Sequence, residues 1–259
     1  DRPVSNPRWN KDGKNITAVV TDDCERYIST FDVKNGMMKK VIGGNRSFGS
    51  LEFHPDGSWV TSMSDSQLPS EFYALKDGNL RRLTSIQDDF VAGLSLATVE
   101  KFSSTSKDGV VVSNLLFLPA SAKKEKLPVI FYIHGGPVGQ DDFGFDLTRQ
   151  MLAAKGYAVI AVNYRGSNGR GIDFCKSIYA DWGNKEVLDI QGAADYLISK
   201  GIIDGNRMGI GGWSYGGILT DYTIAKDTRF KAAISGAGSA LQLSLYGVDQ
   251  YILQLDNEI

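Results

Sequence analysis

The sequence predicts an α/β domain preceded by two repeated units of antiparallel β-sheet. From about residue 100, apolar runs alternate with segments that carry apolar residues at helical spacing. These runs are apolar throughout rather than at every second position, which indicates parallel strands covered on both faces. Before residue 90 the sequence instead repeats itself and contains several hairpin signals. We therefore expect β-sheet units over 1–90 and the α/β domain over 91–259.

The repeat in the first region predicts two successive blades of a β-propeller. The residues around Asp12-Gly13 are echoed around Asp56-Gly57, an offset of about 44 residues that suits a four-stranded blade. Asp-Gly favours a hairpin turn because glycine adopts positive φ at little cost. We expect blades over 7–44 and 50–85, with an unrelated small β-sandwich as the alternative. Propellers close with roughly four to eight blades, so we expect further blades upstream of the first residue.

The second region contains five predicted strands and three predicted helices. The helix over Lys185–Lys200 has apolar residues on one face and is followed by Gly201, a typical C-terminal signal. The predicted strands are Val110–Leu118, Pro128–Ile133, Tyr157–Val162, Asn206–Gly211 and Phe230–Ser235. The other predicted helices are Phe145–Ala154 and Gly217–Ala225.

A serine lies between the predicted strand Asn206–Gly211 and the helix that follows it. Residues 212–216, Gly-Trp-Ser-Tyr-Gly, match the pattern G-x-S-x-G at such a strand-to-helix turn. Glycines flank the serine because a Cβ at those positions would clash in so tight a turn. The pattern in this context predicts that Ser214 is a nucleophile held exposed on a nucleophile elbow.

Acyl transfer also needs N–H donors for the developing oxyanion, and two segments can supply them. A turn at 134–137, His-Gly-Gly-Pro, follows the strand ending at Ile133 and can expose backbone N–H groups. The second donor in such a site is the N–H of the residue after the nucleophile, here Tyr215. Each donor can contribute about 3–4 kcal/mol of transition-state stabilisation.

Neither of the two histidines fits the general base. In this arrangement the base follows the nucleophile in chain order, and no histidine follows Ser214. We expect His134 to shape the oxyanion turn and His54 to lie in a surface turn. Asp249 comes before the next strand that would present a triad acid. The residues alone leave three alternatives: a fragment, partner residues from another segment, or a protein that no longer catalyses.

Several motifs together resemble the prolyl oligopeptidase family of serine peptidases, in its acylaminoacyl-peptidase and dipeptidyl-peptidase branches. They are the blade pair, the turn at 134–137, the segment Asn163–Gly171, Asp181-Trp182-Gly183 and the elbow at 212–217. The resemblance implies an α/β-hydrolase domain, partial here, preceded by a partial β-propeller. It further implies hydrolysis of short peptides near their N-terminus, through an acyl-enzyme on Ser214 and without metal or cofactor.

The resemblance also implies roles for individual residues. Gly136 and Tyr215 would hold the oxyanion through their N–H groups. Arg165 would brace the loop after its strand, or else lie on the surface. Trp213 and Tyr215 would wall the pocket for the substrate side chain, although elbow packing alone would also explain Trp213. His134 would support the same loops. The triad aspartate and histidine would lie beyond residue 259, so we expect this chain alone to be inactive.

Composition narrows the function classes. The chain has 42% hydrophobic and 22% charged residues and a net charge of −2, which is typical of a globular domain and gives no basic field for nucleic acid. No apolar run approaches the roughly 18 residues of a membrane span. Cys24 and Cys175 are too few for a zinc site and are expected to be free thiols.

The expected partners are a short peptide substrate, the remainder of the same polypeptide and a second copy in a homo-oligomer, without nucleic acid or membrane. Periplasmic or secreted and cytoplasmic locations both fit. An esterase with the same elbow and a non-catalytic binding protein built on the propeller are the alternative functions. The blades argue against a simple esterase, and a histidine downstream of Ser214 in the complete gene product would exclude the binding protein.

Overall fold

The computed structural model describes residues 1–120 and 122–246, which form two β-sheets and several helices. The predicted exclusion of Asp249 as the triad acid falls outside the described residues. An eight-stranded sheet comes first in the chain, and a six-stranded sheet with flanking helices follows it.

The first sheet consists of two four-stranded antiparallel meanders. One parallel backbone pairing, Arg26 with Ser47, joins the two meanders into one sheet. The turns at Asp12-Gly13 and Asp56-Gly57 connect the first two strands of the two meanders, as the repeat predicts. Strands of the first meander are β1 (Val4–Trp9), β2 (Asn15–Asp22), β3 (Glu25–Asp32) and β4 (Met38–Ile42). Strands of the second are β5 (Arg46–Phe53), β6 (Trp59–Asp65), β7 (Glu71–Lys76) and β8 (Asn79–Arg82).

The second sheet carries the α/β part of the chain. Its strands are β9 (Thr98–Thr105), β10 (Val111–Leu118), β11 (Leu127–Ile133), β12 (Ala158–Val162), β13 (Ile203–Trp213) and β14 (Phe230–Gly236), in the order β14-β13-β11-β12-β10-β9. The helices are α1 (Asp88–Ala92), α2 (Leu147–Ala154), α3 (Ile172–Lys176), α4 (Lys185–Ser199) and α5 (Tyr215–Lys226), with a 3₁₀ turn at Gln242–Ser244. All five predicted strands and all three predicted helices are present, with shifted ends.

The prediction of a parallel sheet is wrong for two of its five strand pairings. Strands β12, β11, β13 and β14 run parallel, but β10 is antiparallel to both β9 and β12. Seven of the eight residues of β10 are buried. Continuous apolarity therefore reports burial on both faces of β10 and carries no information on its direction. The turn that reverses the chain ends at Gly109, with φ 87°.

The sheet places two loops side by side. Strands β11 and β13 pair in parallel, with Ile133 opposite Gly212, so that their carboxyl ends lie together. The turn at 134–137 follows β11, and Ser214 follows β13. Helix α5 then runs back against β13 and β14. These loops lie outside the carboxyl ends of parallel strands, where α/β sheets bind their ligands.

The two sheets are also in contact. Cys24, in the turn between β2 and β3, is fully buried in a cluster with Leu115 and Phe117 of β10. The side chain of Gln140, in the loop after β11, accepts from the Cys24 N–H at 3.4 Å and donates to the Glu25 carbonyl at 3.1 Å. The turn of the first meander is thus held by the loop that follows the turn at 134–137.

Candidate active site

Ser214 occupies a strained turn between β13 and α5. Its backbone has φ 57° and ψ −122°, a conformation that non-glycine residues rarely adopt, and its side chain makes no capping bond to the helix. The backbone itself is well held: the Ser214 N–H donates to the Gly236 carbonyl at 2.9 Å, and its own carbonyl accepts from Gly217 at 2.8 Å. Ser214 is exposed. The hydroxyl is therefore presented to solvent from a fixed backbone.

The glycines beside Ser214 are required by close backbone contacts, as the sequence predicts. A Cβ on Gly212 would lie 2.5 Å from the carbonyl oxygen of Ile133, and a Cβ on Gly216 would overlap the same oxygen. Real Cβ atoms do not approach an oxygen so closely. The elbow can therefore pack on the end of β11 only if both positions lack a side chain.

The turn after β11 lies directly against the elbow. A Cβ on Gly135 would be 3.2 Å from the Ser214 Cβ and 3.7 Å from the Tyr215 nitrogen. The next residue, Gly136, is exposed and has φ 137°. Within residues 1–120 and 122–246, neither the Gly136 N–H nor the Tyr215 N–H donates to another protein group. Two backbone donors near Ser214 are thus available to a ligand.

His134 is engaged on both ring nitrogens. Nδ1 lies 2.8 Å from the Gly135 carbonyl oxygen, and Nε2 lies 3.0 Å from Oγ of Ser167. The ring stacks on that of Tyr164, with 4.4 Å between ring centroids. Burial lowers the pKa of His134, against an opposing effect of the Asp141 charge. A neutral ring that donates from Nδ1 and accepts at Nε2 satisfies both contacts, so this histidine joins two loops.

Arg165 is buried and braces the loop after β12. Its side chain is 5% exposed, with Nη2 at 2.8 Å from Asp189 Oδ1 and Nη1 at 2.5 Å from Asp108 Oδ2. Its backbone N–H also donates to Asp189 Oδ2, at 2.7 Å. The alternative of a surface arginine is therefore wrong. Arg165 ties its loop to α4 and to the turn between β9 and β10.

Trp213 and Tyr215 flank the serine but face opposite ways. The Trp213 side chain is 66% exposed and packs over Gly236, where a Cβ would lie 2.6 Å from a ring carbon. It is therefore accessible beside Ser214. Tyr215 is 2% exposed, and its ring points into the core. The interpretation of the Tyr215 ring as a pocket wall is wrong, because only the backbone of this residue reaches the surface.

Sequence reasoning missed the group that holds Tyr215. The Tyr215 hydroxyl donates to Oε1 of Glu186 at 2.5 Å, and the Trp182 ring meets the tyrosine ring edge-on at 5.0 Å between centroids. The sequence carried a signal, since Asp181-Trp182-Gly183 is one of the motifs behind the resemblance. Spacing alone could not show that this motif contacts the elbow.

Two further properties bear on the kind of site. No cluster of three or more metal-ligating side chains occurs in residues 1–120 and 122–246. No helix in the part of the chain that the structure describes is long and apolar enough to cross a membrane.

Comparison with known proteins places these features in a family. Residues 143–256 match the sequence profile of the prolyl oligopeptidase family. The chain is 32% identical over 246 residues to the uncharacterized peptidase YuxL of Bacillus subtilis (strain 168), covering 93% of this chain and 37% of that protein. It is 31% identical over 183 residues to dipeptidyl aminopeptidase BIII of Pseudoxanthomonas mexicana, covering 66% of this chain and 26% of that protein.

A solved structure, that of Pyrococcus horikoshii acylaminoacyl peptidase, superposes with a TM-score of 0.88 at 26% sequence identity. The superposition covers 100% of this chain and 41% of that one. The chain thus spans less than half the length of each of these three proteins.

Proposed function

This chain belongs to the prolyl oligopeptidase family, and on that premise we propose that it carries the nucleophile of a serine peptidase that cleaves short peptides near their N-terminus. One observation carries the proposal: Ser214 is exposed on a strained elbow with the free N–H of Tyr215 next to it and the turn of Gly136 packed against it. A hydroxyl beside two backbone donors is the arrangement that acyl transfer requires.

The proposed reaction begins with attack of the Ser214 hydroxyl oxygen on the scissile carbonyl carbon, while a general base accepts the hydroxyl proton. The N–H groups of Gly136 and Tyr215 hold the oxyanion of the tetrahedral intermediate. The carbon–nitrogen bond then breaks, the amine leaves with a proton, and an acyl-serine remains. Water then attacks the acyl-serine in place of the serine hydroxyl, and the serine oxygen leaves in place of the amine.

His134 is not the base in this reaction. Both of its ring nitrogens are bonded, to Gly135 and to Ser167, and the burial that lowers its pKa favours a fixed neutral ring. His54, the other histidine, lies in the turn between β5 and β6. We assign the base and its orienting carboxylate to positions outside the described residues, as the resemblance implies.

We propose that the two antiparallel meanders are propeller blades, with 1–90 as propeller and 91–259 as hydrolase domain. Each meander has four strands, and their Asp-Gly turns fall at equivalent places. Equivalent segments also touch: Arg8 binds Glu52, and the Lys11 ammonium group donates to the Pro55 carbonyl at 2.7 Å. A propeller over the catalytic face would admit short peptides and exclude folded proteins.

The substrate end is proposed to be an N-terminal dipeptide or an N-acylated residue. One relative is named a dipeptidyl aminopeptidase and another an acylaminoacyl peptidase. The two names differ in the substrate end that they specify. The exposed Trp213 beside the nucleophile offers an apolar surface for a substrate group. The acyl transfer itself uses a serine hydroxyl, backbone N–H donors and a general base for either substrate end.

The test compares three chromogenic substrates with the intact protein: a dipeptide anilide with a free amino group, an N-acetylated amino-acid anilide and a p-nitrophenyl ester. Turnover of either anilide that disappears in Ser214→Ala supports the peptidase. Turnover of the ester alone would indicate an esterase. A folded intact protein that hydrolyses none of the three contradicts the proposal.

A further inference from the structure

Glu186 lies beneath the elbow, where it contacts the residue that follows the nucleophile. We propose that Glu186 is a positioning residue for the oxyanion hole: it holds the Tyr215 side chain and thereby fixes the direction of the Tyr215 N–H. The inference rests on the proposed function and assigns a task to the segment 181–186, which includes a motif with no role so far.

Tyr215 is enclosed on three sides. Its ring is 5.0 Å from that of Trp182 and 6.0 Å from that of Tyr164, between centroids, and 2% of the residue is exposed. Its hydroxyl donates to Glu186 Oε1 at 2.5 Å, a short hydrogen bond. Tyr215 is the first residue of α5, so one Cα carries both the enclosed side chain and the N–H group that follows Ser214.

The hydrogen bond from the Tyr215 hydroxyl is the shortest contact of the buried Glu186 carboxyl group. It is fully buried in the first turn of α4, and Oε1 also accepts from the Gly183 N–H at 3.3 Å. Its Oε2 has no hydrogen-bond partner within the described residues. Burial of a carboxyl group is unfavourable unless it is well bonded, and an apolar side chain would fill the same space at lower cost. A positioning role accounts for the carboxyl group.

The same segment holds the far end of the helix. The Lys226 ammonium group, on the last residue of α5, donates to the Gly183 carbonyl at 2.7 Å and to Asn184 Oδ1 at 2.5 Å. Gly183 faces the Tyr222 ring so closely that a Cβ would overlap it. The segment therefore contacts α5 at its first residue, its last residue and one residue between. These contacts hold both ends of α5 against the same segment.

The experiment measures kcat and KM for anilide hydrolysis by the intact protein and its variants, together with the inhibition constant of a peptide boronic acid that mimics the tetrahedral intermediate. Tyr215→Phe removes one hydroxyl, and Glu186→Leu removes its acceptor. Glu186→Gln keeps an acceptor oxygen in place. Tyr196→Phe, on α4 with its ring stacked on Phe102, is the matched control.

We expect Tyr215→Phe and Glu186→Leu each to lower kcat about 10-fold and to weaken the boronic acid similarly, with KM within twofold, because a displaced donor acts on the transition state. The double variant should be no worse than the single ones, since both break one contact. Glu186→Gln and Tyr196→Phe should stay within threefold of the wild type.

A Tyr215→Phe protein with unchanged kcat would overturn the inference, even if Glu186→Leu fails to fold. A rise in KM at constant kcat would overturn it too, because that pattern indicates lost substrate binding. In both cases the wild type still turns over the anilide, so the proposed function would stand while the role of Glu186 would not. A wild type without Ser214-dependent turnover would instead contradict the proposed function, and the inference with it.

Discussion

Gly216, in the first turn of α5, lies directly against the carbonyl oxygen of Ile133, the last residue of β11. This contact seats the serine turn on the end of the neighbouring strand. It also sets the distance between Ser214 and the turn at 134–137, which begins one residue after Ile133. The relative position of the nucleophile and the oxyanion donors thus depends on the absence of a Cβ at Gly216.

Gly216→Ala should destroy the elbow, because the added methyl group must displace the backbone of β11 or of α5. We expect loss of at least 100-fold in kcat/KM and a lower melting temperature. Gly93→Ala is the matched control, since φ there is −97° and a Cβ would meet nothing within 4 Å. Equal activity of the two variants would show that the contact does not hold the site.

Ser214 should itself reduce stability. A non-glycine residue at φ 57° and ψ −122° costs on the order of 1–3 kcal/mol. Glycine adopts this conformation freely, although it is also more flexible in the unfolded chain. Ser214→Gly should therefore be about 1 kcal/mol more stable than Ser214→Ala in urea unfolding, while both lack the nucleophile. A less stable glycine variant would refute the assignment of strain.

Arg165 should be among the side chains on which stability depends most. Its replacement by alanine leaves the fully buried Asp189 without its ion-pair partner, and breaking a buried pair in this way costs about 3–5 kcal/mol. Arg207→Ala is the control, because Arg207 is 55% exposed in its pair with Asp204 and such pairs contribute about 0–1 kcal/mol. Urea unfolding of both variants measures the difference.

Cys24 should be unreactive in the folded protein. Burial raises the pKa of its thiol from 9.0 to about 12, so almost no thiolate forms at neutral pH. The folded pKa lies above the unfolded one, so this group's contribution to stability is complete below pH 9 and falls as the pH rises towards 12. In a Cys175→Ser variant, Ellman's reagent should modify Cys24 only after denaturation, with the modified residues located by peptide mass spectrometry. Rapid modification of Cys24 in the native variant would contradict its burial.

The sequence predicted those elements whose signals are local. Strand β12 and helix α4 match the predicted ranges to within a residue, because each is a continuous apolar run or an amphipathic stretch with a glycine stop. Strand β9 was missed, since only one of its eight residues is buried and it has no apolar run. The predicted direction of β10 was wrong, because burial on both faces is also typical of a parallel strand.

The candidate site likewise has residues that a local sequence pattern predicts and residues that only tertiary packing brings together. The serine turn has a local signature, since strand, glycines and helix are adjacent in the chain. The inward orientation of the Tyr215 ring and its bond to Glu186 depend on a helix that begins 30 residues earlier. The burial of Arg165 depends likewise on Asp108 and Asp189, from two other segments. Contacts of this kind follow from packing and leave no local pattern.

The proposed reaction requires that Ser214 is an activated nucleophile. We would treat the intact protein with a fluorophosphonate and locate the adduct by peptide mass spectrometry, with Ser214→Ala as the control. A single adduct on Ser214 that is absent from the variant is the predicted result. A folded protein that remains unlabelled, or that carries its adduct on another residue, would contradict the account.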